Sequence, residues 1–327
     1  MPDLAPKWKI AVAMGLVYVI WGSTYLAIRF AVQTLPPLTM SGVRFLLAGG
    51  ALWAWSALRG GSRGARVTAA HWRSAVVIGV LLFLCGNGFV VVAEKRVESG
   101  LAALLVSTTP LFIVLLPWLF RGGKRPTLPV ALGILLGLAG VGLLVRPGGP
   151  GAMAGSGGVD LWGALLLSAA SLTWAAGSLY SAQAALPASP LLSTGIQMFM
   201  GGALMLVAGG LFGEFGQLDL AHASTPSLLG FGYLVIAALV AFTAYLWLLR
   251  VAPPALVSTY SYVNPLVAVL LGWAIASEPL TARTAVAGLV IVSGVALITI
   301  NRTAKAKKPV TEEPAVPAGP ALKCEVG

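Results

Sequence analysis

The sequence predicts an all-α polytopic membrane protein: ten transmembrane helices in two inverted five-helix repeats, with both termini cytoplasmic. Three observations lead there. Apolar residues make up 58% of the 327 residues and charged residues only 9%, against about 25% charged in an ordinary soluble chain. Apolar runs long enough to cross hydrocarbon recur from one end to the other. A set of residues also repeats in order at an offset of about half the chain.

Ten runs qualify as spans: 10–33, 38–58, 74–93, 99–120, 126–145, 160–182, 190–213, 226–249, 253–276 and 282–301. The first follows Lys7 and Lys9, so it imitates a signal peptide. It is too long for the apolar core of one, holds Trp21, and is followed by no small-residue cleavage site. It is read as a retained helix. Turn residues punctuate the connections, among them Pro36-Pro37, Pro187 to Pro190 and Pro253-Pro254. The expected division is a cytoplasmic N-terminus at 1–9, a first repeat at 10–146, a flexible Gly/Pro-rich loop at 147–159, a second repeat at 160–301, and a disordered cytoplasmic tail at 302–327.

The net charge of +11 points to orientation rather than to nucleic acid, because the positive residues form no stripe that would track phosphates. With the N-terminus inside, the inner segments carry Lys7, Lys9, Arg59, Arg63, Arg66, Arg73, Arg121, Lys124, Arg125, Arg250 and the five basic residues from Arg302 to Lys323. The outer loops carry Lys95, Arg96, Arg146 and Arg283. That bias sets both termini inside. Tryptophans at run ends (Trp8, Trp53, Trp55, Trp72, Trp118, Trp162, Trp247, Trp273) read as interface anchors. Cys85 and Cys324 support no disulfide framework. His71 and His222 have no neighbours at metal-ligand spacing. No metal or cofactor is expected, and a multi-pass protein of the bacterial inner (plasma) membrane is.

The repeat is specific as a set. Trp21, Pro37 and Arg44 recur as Trp174, Pro190 and Gln197, each 153 residues later. Arg96-Val97 recurs as Arg250-Val251, and Pro110-Leu111 with Trp118 as Pro265-Leu266 with Trp273. Five helices per copy is an odd number, so the second copy enters the membrane from the opposite side. Inverted halves of this kind are common in secondary transporters, where two equivalent packings give outward-open and inward-open states; duplication in a structural membrane protein is the other reading.

Candidate functional residues follow from what hydrocarbon penalises. Pro110 and Pro265 lie mid-span and free the carbonyls of Val106 and Ser261, marking helix breaks or gates. Their polar flanks, Ser107 and Thr108 on one side and Tyr260 and Asn264 on the other, are expected along a substrate path between helices four and nine. Asn87, an amide deep in helix three, either lines a cavity or bonds a neighbouring helix. Trp21 and Tyr25 share a face of helix one, and Trp174 and Tyr180 lie in the equivalent helix six; aromatic walls and packing between helices both fit them. Arg44 is read as a structural charge clamping helix-end carbonyls, and Arg29 as snorkelling outward. Glu94 and Glu278 lie at span edges, and no acid lies mid-span, so facilitated or exchange transport is expected rather than obligatory proton coupling. The rows Gly133, Gly137 and Gly140, and Gly201-Gly202 with Gly209-Gly210, are assigned to packing within a monomer rather than to a dimer. No catalytic arrangement is present in the sequence, so no enzyme is expected.

Trp21-Gly22-Ser23-Thr24-Tyr25, Pro36-Pro37, Gly42-Val43-Arg44-Phe45 and Ala48-Gly49 resemble the opening of a first EamA repeat. Gly86-Asn87-Gly88, Ser99 to Ala103 and Pro110-Leu111 continue it, and Ser258 to Ala268 is similar to the matching part of a second. The resemblance spans about 10–301 and is to the EamA family of the drug/metabolite transporter superfamily, its YedA-like branch, with YddG-type aromatic amino-acid exporters more distant. It implies ten helices and export of amino acids or other small metabolites through the lipid bilayer. A passive small-solute channel and a proton-coupled drug/metabolite antiporter are the alternatives. One departure stands out: the Glu that often follows helix four of each half is present as Glu278, whereas the first half has Gly123-Lys124.

Overall fold

The computed structural model describes residues 6–58, 67–120, 122, 125–145, 159 and 161–306. The expected loop 147–159 apart from Val159, the first five residues and the tail beyond 306 lie outside them. The regular elements among the described residues are helices, apart from one isolated bridge between Val145 and Val159. We number the rods α1 (Lys7–Ala31), α2 (Pro37–Leu58), α3 (Ala69–Ala93), α4 (Ser99–Phe120), α5 (Leu128–Leu144), α6 (Leu161–Ser181), α7 (Pro190–Leu211), α8 (Thr225–Val251), α9 (Tyr260–Ala276) and α10 (Ala282–Ala306). Seven of these are long and apolar enough to cross a membrane: α1, α3, α4, α6, α7, α8 and α10, the last through Asn301. The helices α5 and α9 are apolar but shorter.

Leucines, isoleucines and valines stay exposed along the outer faces, among them Leu132, Leu135, Leu165, Ile236, Leu270 and Leu289. In water this would be a large apolar liability; against lipid it is the expected surface. Contacts between helices instead use small residues. A Cβ on Gly49 would come within 2.7 Å of the Gly195 carbonyl, and one on Gly202 within 2.7 Å of the Gly42 carbonyl. The helices α2 and α7 therefore cross with their backbones nearly touching. Gly133 and Gly140 of α5 meet α10 in the same way, against Gly294, Ile298 and Ile291, while Gly137 receives Leu111. The small-residue rows singled out in the sequence are thus filled from within this chain.

The helix neighbours follow the repeat. The equivalent helices α2 and α7 pack on each other, as do α5 and α10. The α1–α8 contact has its equivalent in α3–α6, and the α3–α7 contact in α2–α8. This is the pattern a two-fold relation between halves produces.

Several rods are broken. The middle of α3, Gly79–Asn87, is a π-helix, whose widened turn nothing in the periodicity announces. In α4 the helix stops after Val106 and restarts at Thr109. Before α9, a single turn at Pro254–Val257 is separated from Tyr260 by Ser258 and Thr259. The expected break at Pro265 therefore falls earlier: Pro265 lies inside an unbroken α9, in its second turn.

The two ends of the bundle differ. At the end where α2 and α4 begin, one continuous apolar core includes Ile28, Val91, Leu101, Leu105 and Met205. At the end where α1 begins, that core is still present through Leu52, Val130 and Ile298, and two smaller clusters stand apart from it. One joins Met14 and Val17 to Leu248 and Val257, and the other joins Ala75 to Leu192 and Ile196.

Two buried glutamates fasten the continuous end. Glu278, after α9, accepts from the Ser99 amide (2.8 Å), the Ser99 hydroxyl (2.8 Å) and the Gly100 amide (3.0 Å). Glu214, after α7, accepts from the Thr39 amide (2.7 Å), the Thr39 hydroxyl (2.9 Å) and the Leu38 amide (3.2 Å). Each carboxylate satisfies the orphan N–H groups that begin a helix of the other half and complements its dipole. The sequence placed the acids in loops and at edges; Glu94, Glu98, Glu214 and Glu278 are all buried there. At the other end, α7 is capped by its own Ser189.

Candidate substrate cavity

A cavity of about 380 Å³ lies between the halves, lined from α1, α2, α3, α4, α6, α8 and α9. Its walls carry ten of the residues singled out in the sequence: Trp21, Tyr25, Arg44, Asn87, Ser107, Pro110, Trp174, Tyr260, Asn264 and Pro265. Two candidates do not reach it. The buried Thr108 hydroxyl donates to the Leu105 carbonyl at 2.6 Å, and Thr109 takes the wall position instead. Tyr180 packs against the apolar core, and Ser178 lines the cavity in its place. Glu94 and Glu278 stand outside the walls.

The aromatic side is a cluster around Trp21. Its ring centroid lies 4.9 Å from Tyr260, 5.1 Å from Tyr245 and 5.7 Å from Phe242, edge-on or tilted in each case. Such edge contacts suit the ring quadrupoles and hold the rings in fixed orientations. Tyr245 and Phe242, three residues apart on one face of α8, escaped the sequence reading. Their spacing is a signal only once the lipid-facing side of α8 is known, because that helix is apolar all round. Across the cavity Trp174 lies on α3 at Gly86, where an added Cβ would be 3.0 Å from the indole Cε3.

The polar side is built by the broken helices. Pro110 leaves the Val106 carbonyl without its helical donor. The Thr109 hydroxyl, at 2.8 Å, and the Ser171 hydroxyl from α6, at 3.3 Å, supply that donor. The π-turn brings Asn87 to the cavity, where its Nδ2 donates to the Leu82 carbonyl (3.3 Å) and its Oδ1 accepts from Arg44 Nη2 (3.3 Å). Lining and helix-to-helix bonding, alternatives in the sequence, are both roles of this one amide.

Arg44 is buried, with its Cζ 4.1 Å from the Phe45 ring centroid. The clamp on helix-end carbonyls expected of it belongs to Arg29 instead, whose Nη1 donates to the Glu94 and Val97 carbonyls at 3.1 and 3.3 Å. Among the described residues, the buried polar atoms without a hydrogen-bond partner are Arg44 Nε, both carboxylate oxygens of Glu94 and Asn264 Oδ1. Two of the three residues line the cavity. The described residues contain no group of three His, Cys, Asp or Glu side chains that would hold a metal ion.

A seven-helix-lined chamber at the junction of two equivalent halves is a transporter's geometry, and comparison with known sequences agrees. The profile of the EamA-like transporter family matches residues 8–146 and, a second time, residues 161–300. The chain belongs to the EamA-like transporter family. Among relatives of this family chain, the uncharacterized inner membrane transporter YedA of Escherichia coli K12 is 39% identical over 303 residues, covering 91% of this chain and 93% of YedA. The uncharacterized transporter YvbV of Bacillus subtilis is 24% identical, covering 93% of this chain and 95% of YvbV. A crystal structure sharing 20% identity superposes with a TM-score of 0.58 over 90% of this chain and 99% of its own, a likeness of fold. This EamA-like protein is thus a multi-pass transporter of the inner membrane.

Proposed function

We propose that this transporter exports small metabolites of the amino-acid class, aromatic ones among them, by alternating access. In this reading ten helices span the membrane, both termini are cytoplasmic, and transport is facilitated or by exchange. The cavity carries the reading, with rings on one side and amides, hydroxyls and a guanidinium on the other. Such a chamber suits a solute with an apolar ring and a polar head.

Alternating access is supported by the unequal ends. The Ser99–Val106 part of α4 packs along α9, while the Thr109–Phe120 part leans on α6 and away from α9. With the N-terminus inside, the joined end is the outer one and the cavity faces the cytoplasm. A channel would need both ends open at once.

The test is a panel of labelled amino acids and metabolites in proteoliposomes, with trans-stimulation as the criterion for a carrier. Asn264→Ala and Trp174→Ala are expected to impair uptake while leaving expression intact. Wild-type rates in both would remove the site assignment, and flux without saturation or trans-stimulation would favour the channel. One observation favours the proton-coupled alternative: Glu94 is buried with both oxygens unpartnered. A substrate-driven proton flux that disappears in Glu94→Gln would establish it.

A further inference from the structure

We infer that Arg44 is the group that receives the anionic head of the substrate, so that the transported solute carries a carboxylate toward α2 and its apolar body toward the Trp21 cluster. The inference rests on the amino-acid reading for the solute and adds the subsite that selects it.

Arg44 is the one charged residue lining the cavity among the described residues. A guanidinium has five N–H donors in a rigid fork matched to carboxylate oxygens. The bond to Asn87 Oδ1 uses one, and Nε has no acceptor. The side chain is only 3% exposed, so water does not serve the remainder freely. A buried cation in this condition calls for an anion.

No carboxylate among the described residues hydrogen-bonds Arg44, although Glu94 lies near enough for its charge to act on the guanidinium. The oxygens of Glu278 are held by Ser99 and Gly100. Glu94, one turn beyond the cavity residue Val90, makes no hydrogen bond to Arg44 or to anything else described. The described residues contain one pair within salt-bridge distance, His222 with Asp219, far along the chain in the α7–α8 connection. Phe45 stabilises the cation through its ring face but supplies no acceptor.

The repeat argues that the charge is not a requirement of the fold. The equivalent position in the second half is Gln197, whose amide donates to Ser193 one turn earlier at 2.8 Å. The helix α7 takes the equivalent place in the packing with a neutral side chain. The charge at position 44 is therefore additional to what the two-fold packing needs. A second unsatisfied group, Asn264 Oδ1, lines the same cavity. That oxygen is buried in this state, so it becomes an acceptor for an N–H or O–H donor of the solute only when its surroundings open. A guanidinium and a free amide oxygen in one chamber fit a zwitterionic head better than a purely cationic or purely apolar solute.

The experiment compares L-phenylalanine with its primary amide and with phenethylamine, which keep the ring and lose the carboxylate. The readouts are competition against labelled phenylalanine in proteoliposomes and thermal stabilisation of the purified full chain in detergent. Wild-type protein is expected to be inhibited and stabilised by the carboxylate form and not by the other two. Arg44→Gln is expected to lose that preference, with KM for phenylalanine raised roughly 30-fold or more, the scale of truncating one side of a buried charged contact. Arg44→Lys, which keeps the charge and loses the fork, should retain part of it. Both variants are first checked for a monodisperse, folded species; if Arg44→Gln fails that check, the wild-type competition series still decides. Equal inhibition by amide and carboxylate in wild type, or an unchanged carboxylate preference in a folded Arg44→Gln, would overturn the inference. Carboxylate-selective stabilisation without any amino-acid transport would keep Arg44 as the anion receptor and defeat the amino-acid reading instead.

Discussion

Single residues here work by leaving polar atoms unsatisfied or by rescuing them. Asn87 is the plainest case, since one amide serves the Leu82 carbonyl of the widened turn and the Arg44 guanidinium together. Replacing it by Leu removes both bonds and strands a buried cation. The expected loss is about 1.5–3 kcal/mol, the scale of a hydrogen bond to a charged group, read as a lower melting temperature in detergent. Asn87→Asp tests the same contact from the other side. It places a carboxylate where Oδ1 now lies, 3.3 Å from Nη2. The ion pair gained with Arg44 offsets the bond lost to the Leu82 carbonyl, so the melting temperature should fall less than in Asn87→Leu while uptake falls, because the in-chain carboxylate occupies the guanidinium. A variant with normal uptake would mean that Arg44 needs no free donors during transport.

At the scale of elements, breaks matter as much as helices. The α4 break survives in an apolar setting because the Thr109 and Ser171 hydroxyls reach the carbonyls it exposes. Ser171→Ala should cost about 1 kcal/mol, with expression unaffected. The α2–α7 crossing is less forgiving. Gly49 faces backbone, the Gly195 carbonyl and the Phe199 amide, and backbone cannot rotate aside as a side chain can. Gly49→Leu should destabilise by about 3 kcal/mol or more, at the upper end of overpacking effects, and be seen as aggregated protein on size-exclusion chromatography. Gly15, with open space around its position, is the control: Gly15→Leu should behave as wild type.

Across the whole molecule, the distribution of fastenings is uneven while the scaffold is two-fold. Glu278 and Glu214 tie the halves through buried carboxylates at one end, where the other end has hydroxyl contacts, Ser56 with Ser189 and Tyr18 with Thr259. For α2 and α7, which pack along their length, the Glu214 contact adds to an extended interface. For α4 and α9, which meet at that end and diverge at the other, Glu278 is the principal polar tie. Glu278→Ala should therefore release the α4–α9 junction and shift the population toward the opposite opening. The check is a Ser261→Cys reporter in a background with Cys85 and Cys324 replaced by Ser. Labelling by a membrane-impermeant maleimide from the outer side should rise in Glu278→Ala. An unchanged labelling ratio would mean that apolar packing alone holds that end shut.

Much of this architecture was legible in the residues because it follows from a one-dimensional constraint: hydrocarbon accepts long apolar runs, and a repeat written twice leaves ordered matches such as Trp21 with Trp174 and Pro110 with Pro265. Those same matches named Trp21, Trp174, Pro110, Pro265 and Arg44 in the cavity wall. The misses share a cause. The placing of Thr108 rather than Thr109, and of Tyr180 rather than Ser178, assumes a continuous helical phase. The broken turn at Ser107 and Thr108 removes that phase in α4, and neighbouring helices alone decide which face of α6 points inward. Tyr245 and Phe242 were hidden because an all-apolar helix has no marked inner face. The partners of the charges were beyond reach for another reason. Glu278 caps a helix 179 residues away and Arg29 binds carbonyls 65 and 68 residues away. Side-chain chemistry along the chain states that such groups must be satisfied. Only packing in three dimensions decides which are satisfied, as at Glu278 and Glu214, and which, as at Arg44 beside the cavity, are left without a full set of partners.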